Sequence, residues 1–299
     1  MHTQTGMFAP VAPFDFARSL AFLGMFPPTQ GEYTIADGSW TRAIMLHGQT
    51  IVFAVRSTGT VEKPRLEYTL HAEYPISQEI QRAAEDRLRF MLSLGDDLRP
   101  FYAIAEKQDE AFARMVRRLY GYHQVKFASP VENACWAVLT QRMPMPVARR
   151  MKHALIERFG GSLTVDGVTY WAFPEASALA AIEPHELGLL IRHERKGRQL
   201  AAVAQAFAQA DEAWLRAGDY DQVRSWLLAI DGIGPWSADF VLIRGLGRME
   251  QAPVAEKSLL AAARHVYGPT TTESDLESHA RKYGPWRGYW VHYLRVAGE

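Results

Sequence analysis

Between Leu228 and Phe240 the chain reads Leu-Ala-Ile-Asp-Gly-Ile-Gly-Pro-Trp-Ser-Ala-Asp-Phe, and few backbone paths accommodate that order. Gly232 and Gly234, two residues apart, permit a tight turn bare of side chains, and Pro235 suits the first position of a new helix. A helix is therefore expected to end near Leu228 and another to begin at Pro235, with Ile233 plugging the turn into the core. Such a turn aims backbone N–H groups, together with the positive end of the second helix, at one external anion. A nucleic-acid phosphate is such an anion. The contact would position the protein on a sugar–phosphate backbone without reading a base.

The rest of the chain divides by period. Thr41–Leu46, Thr50–Val55 and Arg65–His71 are rich in β-branched and aromatic residues and are separated by turn formers, which predicts an antiparallel sheet. Helical spacing predicts helices over Phe14–Gly24 and Ser77–Leu94 on either side of it. From about residue 98 the pattern is helical almost to the end, including Asp109–Tyr120, Pro130–Gln141, Pro146–Phe159, Lys196–Ala210, Tyr220–Leu228, Pro235–Leu246 and Ala255–Tyr267. The expected class is α+β: an N-terminal cap domain over 1–97 with an antiparallel sheet, then a mostly helical region over 98–299. The helix–turn–helix unit occupies about 220–246.

Composition sets limits on partners. The 299 residues carry 33 basic and 33 acidic side chains, so bulk charge does not announce a nucleic acid. Local clusters do more: Arg142, Arg149, Arg150 and Lys152 stand with no acid among residues 142–153, and Arg192, Arg195, Lys196 and Arg198 stand against Glu194 alone. Such clusters either neutralise phosphates or form solvated helix faces. Cys135 has no second cysteine to pair with, which excludes an internal disulfide and a cysteine-ligated cluster; its apolar neighbours predict buried packing. The ten histidines show no metal-ligand spacing, so neither zinc nor an iron–sulfur cluster is expected. No apolar run reaches the roughly 18 residues needed to span a bilayer, and the N-terminus lacks signal-peptide features, so a soluble, cytoplasmic protein is expected, associated with the nucleoid if bacterial.

The wider pattern around the turn, with Arg244-Gly245 and then Pro253 ahead of a further helix, resembles the helix-hairpin-helix DNA glycosylase superfamily. Pro13-Phe-Asp-Phe, Leu20-Ala-Phe-Leu, Trp40-Thr-Arg-Ala-Ile, Pro130-Val-Glu, Val138-Leu-Thr-Gln and Pro285-Trp-Arg-Gly-Tyr resemble the bacterial 3-methyladenine DNA glycosylase II proteins. The resemblance covers nearly the whole chain, the middle more loosely. It implies a monomer that binds double-stranded DNA, flips a damaged base out of the stack and hydrolyses its N-glycosidic bond in base excision repair.

Roles follow by position. Trp236 stands where some relatives carry a covalent lysine, which implies a monofunctional hydrolase. Trp236 and Phe240, four apart, share a helix face, and with Phe22 they are implied to line the base pocket, where an alkylated purine would stack. Counting about twenty positions on from Trp236 puts the family's catalytic aspartate at Glu256, while anchoring on the family's Pro-x-Asp form puts the slot at Ala255. A carboxylate about 4 Å from the developing positive charge on the sugar supplies about 4 kcal/mol at an effective dielectric near 20. Glutamate keeps that charge but shifts it by about 1 Å. Gly232, Gly234 and Ser237 are implied to meet DNA, with Arg142 or Met143 as the wedge that fills the gap left by the flipped nucleotide. The backbone carbonyls of Leu228, Ile230 and Gly232 match those that hold Na⁺ or K⁺ in relatives; no other cofactor is implied. Two rivals remain: a non-catalytic DNA-binding relative that has lost the aspartate, and an enzyme for oxidised or deaminated bases, from whose usual lysine Trp236 departs.

Overall fold

The computed structural model describes residues 1–251 and 257–297. The N-terminal part is built from β1 (His2–Phe8), α1 (Phe16–Met25), β2 (Tyr33–Ala36), β3 (Ser39–Leu46), β4 (Gln49–Ser57), β5 (Leu66–Ala72) and α2 (Gln78–Met91). The strands form one antiparallel sheet in the order β1-β5-β4-β3-β2, with Trp40 opposite Val55 and Ile51 opposite Ala72. Period-two alternation decides its two faces. Trp40, Ile44, Phe53, Val55, Tyr68 and Leu70 turn inward with Ala84, Leu88 and Met91 of α2. The three expected strands are present to within two residues of their expected ends, and β1 and β2 extend the sheet at both edges.

The helical part runs α3 (Arg99–Gln108), α4 (Glu110–Arg118), α5 (Pro130–Thr140), α6 (Met145–Phe159), then a hairpin β6 (Gly161–Val165) and β7 (Val168–Ala172). It continues with α7 (Ala176–Ala180), α8 (Pro184–Ile191), α9 (Glu194–Gln209), α10 (Glu212–Ala217), α11 (Tyr220–Leu228), α12 (Pro235–Arg244), α13 (Lys257–Tyr267), α14 (Glu273–Lys282) and α15 (Arg287–Ala297). The β6–β7 hairpin departs from the helical expectation. Its turn, Asp166-Gly167, has φ of +50° and +79°, the left-handed pair that a two-residue hairpin demands. The hairpin lays Val165, Tyr170 and Ala172 on Ala43 and Val52, covering the outer face of the sheet.

Two cores lie beyond the sheet. One packs α5 through α12 around Trp136, Leu139, Leu200, Val203, Leu227 and Leu242. The other joins α3 and α4 to the C-terminal helices through Phe101, Phe112, Leu259, Tyr283, Trp290 and Tyr293. Cys135 lies buried within α5, and burial pushes its thiol pKa up, so it packs as a small apolar residue, as expected.

A buried quartet of charges stitches the sheet to the bundle. Arg42 of β3 reaches Glu32 and Glu132, each at 2.7 Å; Lys152 of α6 reaches Glu132 at 2.7 Å and Glu32 at 2.5 Å. Two acids and two bases cancel, which is the arrangement that lets charges stay ionised out of water. Burial alone would raise the Glu132 carboxyl, but the Arg42 and Lys152 cations outweigh it and bring it from an ordinary 4.5 down to about 2. Lys152 is therefore committed inside the protein and does not face phosphates with its basic neighbours. The quartet fixes the first turn of α5, whose far end carries the loop of the next section.

Candidate nucleic-acid interface and base pocket

The turn between α11 and α12 follows its sequence closely. Asp219 caps α11 by accepting from the Gln222 N–H at 3.0 Å, an interaction worth about 1 kcal/mol. Arg224 of α11 donates to Asp239 of α12 at 3.0 Å and clamps the two helices together. Ile233 is 4 % exposed and enters the core, and its N–H closes the turn on the Ile230 carbonyl at 3.0 Å. Gly232 has φ of +92°, where an added Cβ would also press on the Gln199 side chain at 2.9 Å. Gly234 differs: its φ of −89° is open to any residue, and no atom of the described residues lies within 4 Å of the Cβ it lacks. The first glycine shapes the turn and the second leaves space in front of it. Pro235 opens α12, which has no capping side chain among the described residues and no acid in its first turn, so neither offsets its positive end.

A second loop joins this turn. Gln141, just past α5, donates through Nε2 to the Gly232 carbonyl at 2.7 Å and to the Ser237 hydroxyl at 3.1 Å. Lys196 is buried, and its ammonium takes the Val138 carbonyl at 2.5 Å and the Gln141 carbonyl at 3.0 Å, closing the end of α5. The second basic cluster thus loses its lysine to the interior, while Arg192, Arg195 and Arg198 stay exposed. Arg142 is exposed on a left-handed backbone with φ of +53°, whereas Met143 packs partly against the core. An open depression lies between Gln141, Arg195 and Gln199 on one side and residues 228–237 on the other.

Helix α12 then runs from the turn into the protein. Trp236, Phe240 and Arg244 recur every four residues on one face. Trp236 is 51 % exposed and stacks on Phe240 at 5.2 Å with the rings 8° from parallel. Phe240 meets Phe127 at 6.0 Å, Phe127 meets Phe26 at 5.4 Å, and Phe26 meets Phe22 at 5.0 Å. The three aromatics singled out from the sequence therefore lie on one continuous run of rings. Phe26 and Phe127, which complete it, come from a helix end and a loop that no local pattern links to α12. At the inner end the Arg244 guanidinium lies 4.9 Å from the Phe22 ring centroid and donates to the Val125 carbonyl at 3.3 Å, and His292 of α15 meets Phe22 edge-on at 5.8 Å.

Ser237 is buried with its hydroxyl turned to Gln141. Of the expected cation ligands, the Ile230 carbonyl accepts from Ile233 N–H and the Gly232 carbonyl accepts from Gln141, which leaves each a second lone pair. Glu256 and Ala255 lie outside the described residues; Leu259, three positions past Glu256, is fully buried on α13. Among the described residues no cluster of three or more His, Cys, Asp or Glu is placed to hold a metal ion, and no helix is long and apolar enough to cross a membrane.

No protein-family model matches the chain. Individual proteins do. The DNA-3-methyladenine glycosylase of Bacillus subtilis is 26% identical over 230 residues, covering 75% of each chain. The DNA-3-methyladenine glycosylase 2 of Escherichia coli is 24% identical over 277 residues, covering 93% of this chain and 92% of that one. Among solved structures, the 3-methyladenine DNA glycosylase of Archaeoglobus fulgidus superposes with a TM-score of 0.77 at 19% identity over 98% of both chains. The 8-oxoguanine glycosylase/lyase of Clostridium acetobutylicum in complex with double-stranded DNA superposes with a TM-score of 0.67 at 15% identity, covering 99% of this chain and 96% of that one. By sequence the chain is a homologue of proteins named DNA-3-methyladenine glycosylase, and its fold is that of the DNA glycosylases.

Proposed function

We propose that this chain is a monofunctional DNA glycosylase that binds duplex DNA as a monomer, flips an alkylated purine out of the stack and hydrolyses its N-glycosidic bond. The observation that carries the reading is the continuity of α12: its first residues stand in a turn open to an external anion, and its next turns lead along Trp236 and Phe240 to Phe22. One helix end to hold the backbone and one aromatic run to hold a base is what a base-flipping hydrolase needs. The homologues' names point to 3-methyladenine as the substrate class.

In this reading Arg142, exposed beside the turn, is the wedge, and Met143 supports it from the core. The carbonyls of Leu228, Ile230 and Gly232 hold a monovalent cation against the phosphate, a donor set of neutral oxygens suited to such an ion. Glu256 supports positive charge developing on the sugar and takes a proton from the attacking water, giving a free base and an abasic site. Trp236 offers no amine for an imine, which argues against a lyase.

The test is base release from duplexes holding 3-methyladenine, 1,N6-ethenoadenine, hypoxanthine, 8-oxoguanine or uracil, with wild type and Glu256→Gln. Release of an alkylated purine by the wild type, lost in Glu256→Gln while binding persists, is expected. Binding without release on every duplex would leave the non-catalytic relative, and release of 8-oxoguanine alone would move the protein to oxidised purines.

A further inference from the structure

His292 is 2 % exposed in the middle of α15, stacked on Tyr122 at 4.7 Å and edge-on to Phe22 at 5.8 Å. Its Nδ1 stands 3.4 Å from Nη2 of Arg244. A guanidinium carries donors and no acceptor, so Nδ1 must present its lone pair and the ring proton sits on Nε2. Burial first, then the cations of Arg244, Arg295 and Lys126, hold the imidazole well below its usual 6.5, so the ring is neutral near pH 7. That leaves Nε2–H as a donor, and it is buried with no hydrogen-bond partner among the described residues.

Protein interiors pair nearly all such groups, and one left unpaired is costly and calls for an explanation, a functional role among them. Here the neighbouring ring is Phe22, at the inner end of the aromatic run that begins at Trp236. Arg244 fixes the ring from its other side by holding Nδ1.

We propose that His292 reads the flipped base, its Nε2–H donating to an acceptor on the purine edge; this rests on the glycosylase reading above. A purine presents ring nitrogens and, when oxidised or deaminated at C6, a carbonyl as acceptors, and a neutral donor meets them without adding charge to the pocket. His292 is then a specificity-determining residue, contributed by a helix that the sequence pattern did not connect to the site.

The experiment is single-turnover base release with wild type, His292→Leu and His292→Gln, on whichever of the lesion duplexes named above the wild type processes, with a tetrahydrofuran abasic-site duplex as the binding control. Leucine fills similar space without a donor, and glutamine returns an N–H at comparable reach. The expected result is release roughly 5- to 30-fold slower in His292→Leu, the range for one lost hydrogen bond, and near wild-type release in His292→Gln. All three should bind the abasic duplex equally, since it carries no base to read. Wild-type release by His292→Leu, or equal slowing in both variants, overturns this inference and leaves the glycosylase reading standing. No release by the wild type from any duplex overturns the glycosylase reading itself, and the inference with it.

Discussion

The side-chain amide of Gln141 lies 2.7 Å from the carbonyl of Gly232, so a hydrogen bond ties the loop after α5 to the turn before α12 although 91 positions separate them. Replacing Gln141 by Leu removes two hydrogen bonds and leaves a carbonyl and a hydroxyl without their donor. Stability should fall by about 1–3 kcal/mol, and affinity for an abasic-site duplex should fall several-fold because the loop and turn no longer hold a common register. Chemical denaturation and fluorescence anisotropy measure the two; unchanged values in both would show that the loops act independently.

The two glycines of the turn should separate cleanly. Gly232→Ala places a side chain at φ of +92° and against Gln199, and should cost about 1–3 kcal/mol of stability. Gly234→Ala meets no atom of the described residues within 4 Å and should leave thermal stability within about 1 kcal/mol of wild type. Both should weaken DNA binding, Gly232→Ala by distorting the turn and Gly234→Ala by occupying the space before it. Full binding by Gly234→Ala would remove the turn from the interface.

Trp236 and Phe240 stack, but they differ in exposure and so in what their loss should do. Trp236→Ala, at a half-exposed site, should cost under about 1.5 kcal/mol of stability yet slow base release at least tenfold. Phe240→Ala, wedged between Trp236 and Phe127, should cost more stability, about 2–3 kcal/mol. Melting curves alongside single-turnover kinetics distinguish them, and parallel losses at both positions would make Trp236 a packing residue.

The buried quartet predicts a pH window. The Glu132 carboxyl is depressed in the folded protein, so its contribution is fully present above about 4.5 and is lost as pH falls toward about 2. Glu132→Gln should flatten the fall of unfolding free energy across that window, and Lys152→Met should cost about 3–5 kcal/mol at neutral pH by stranding a buried acid. Denaturation at pH values between 2 and 7 checks both; parallel pH curves for wild type and Glu132→Gln would contradict the assignment.

The features legible in the sequence were those whose determinants are local. Gly232, Ile233 and Pro235 define their turn by themselves, and Trp236 and Phe240 share a face because a helix puts i and i+4 together. What escaped depends on distant partners. Lys152 and Lys196 read as surface bases because their partners, Glu32 and Glu132 for one and the carbonyls ending α5 for the other, are 20 to 120 residues away along the chain. Phe26, Phe127 and His292 reach the aromatic run only through tertiary packing. The β6–β7 hairpin is the exception, for Asp166-Gly167 was a local signal set among strands too short to stand out from their helical surroundings.

The core that joins α3 and α4 to the C-terminal helices imposes an order on the chain's birth. Asp109 caps α4 and accepts from the Tyr283 hydroxyl, 174 positions later. During synthesis α3 and α4 therefore emerge with an apolar face whose partner has yet to be made, while the α5–α12 core can already close between them. Loop closure over such a span slows folding, and the waiting face is a natural site for chaperone capture or misassociation.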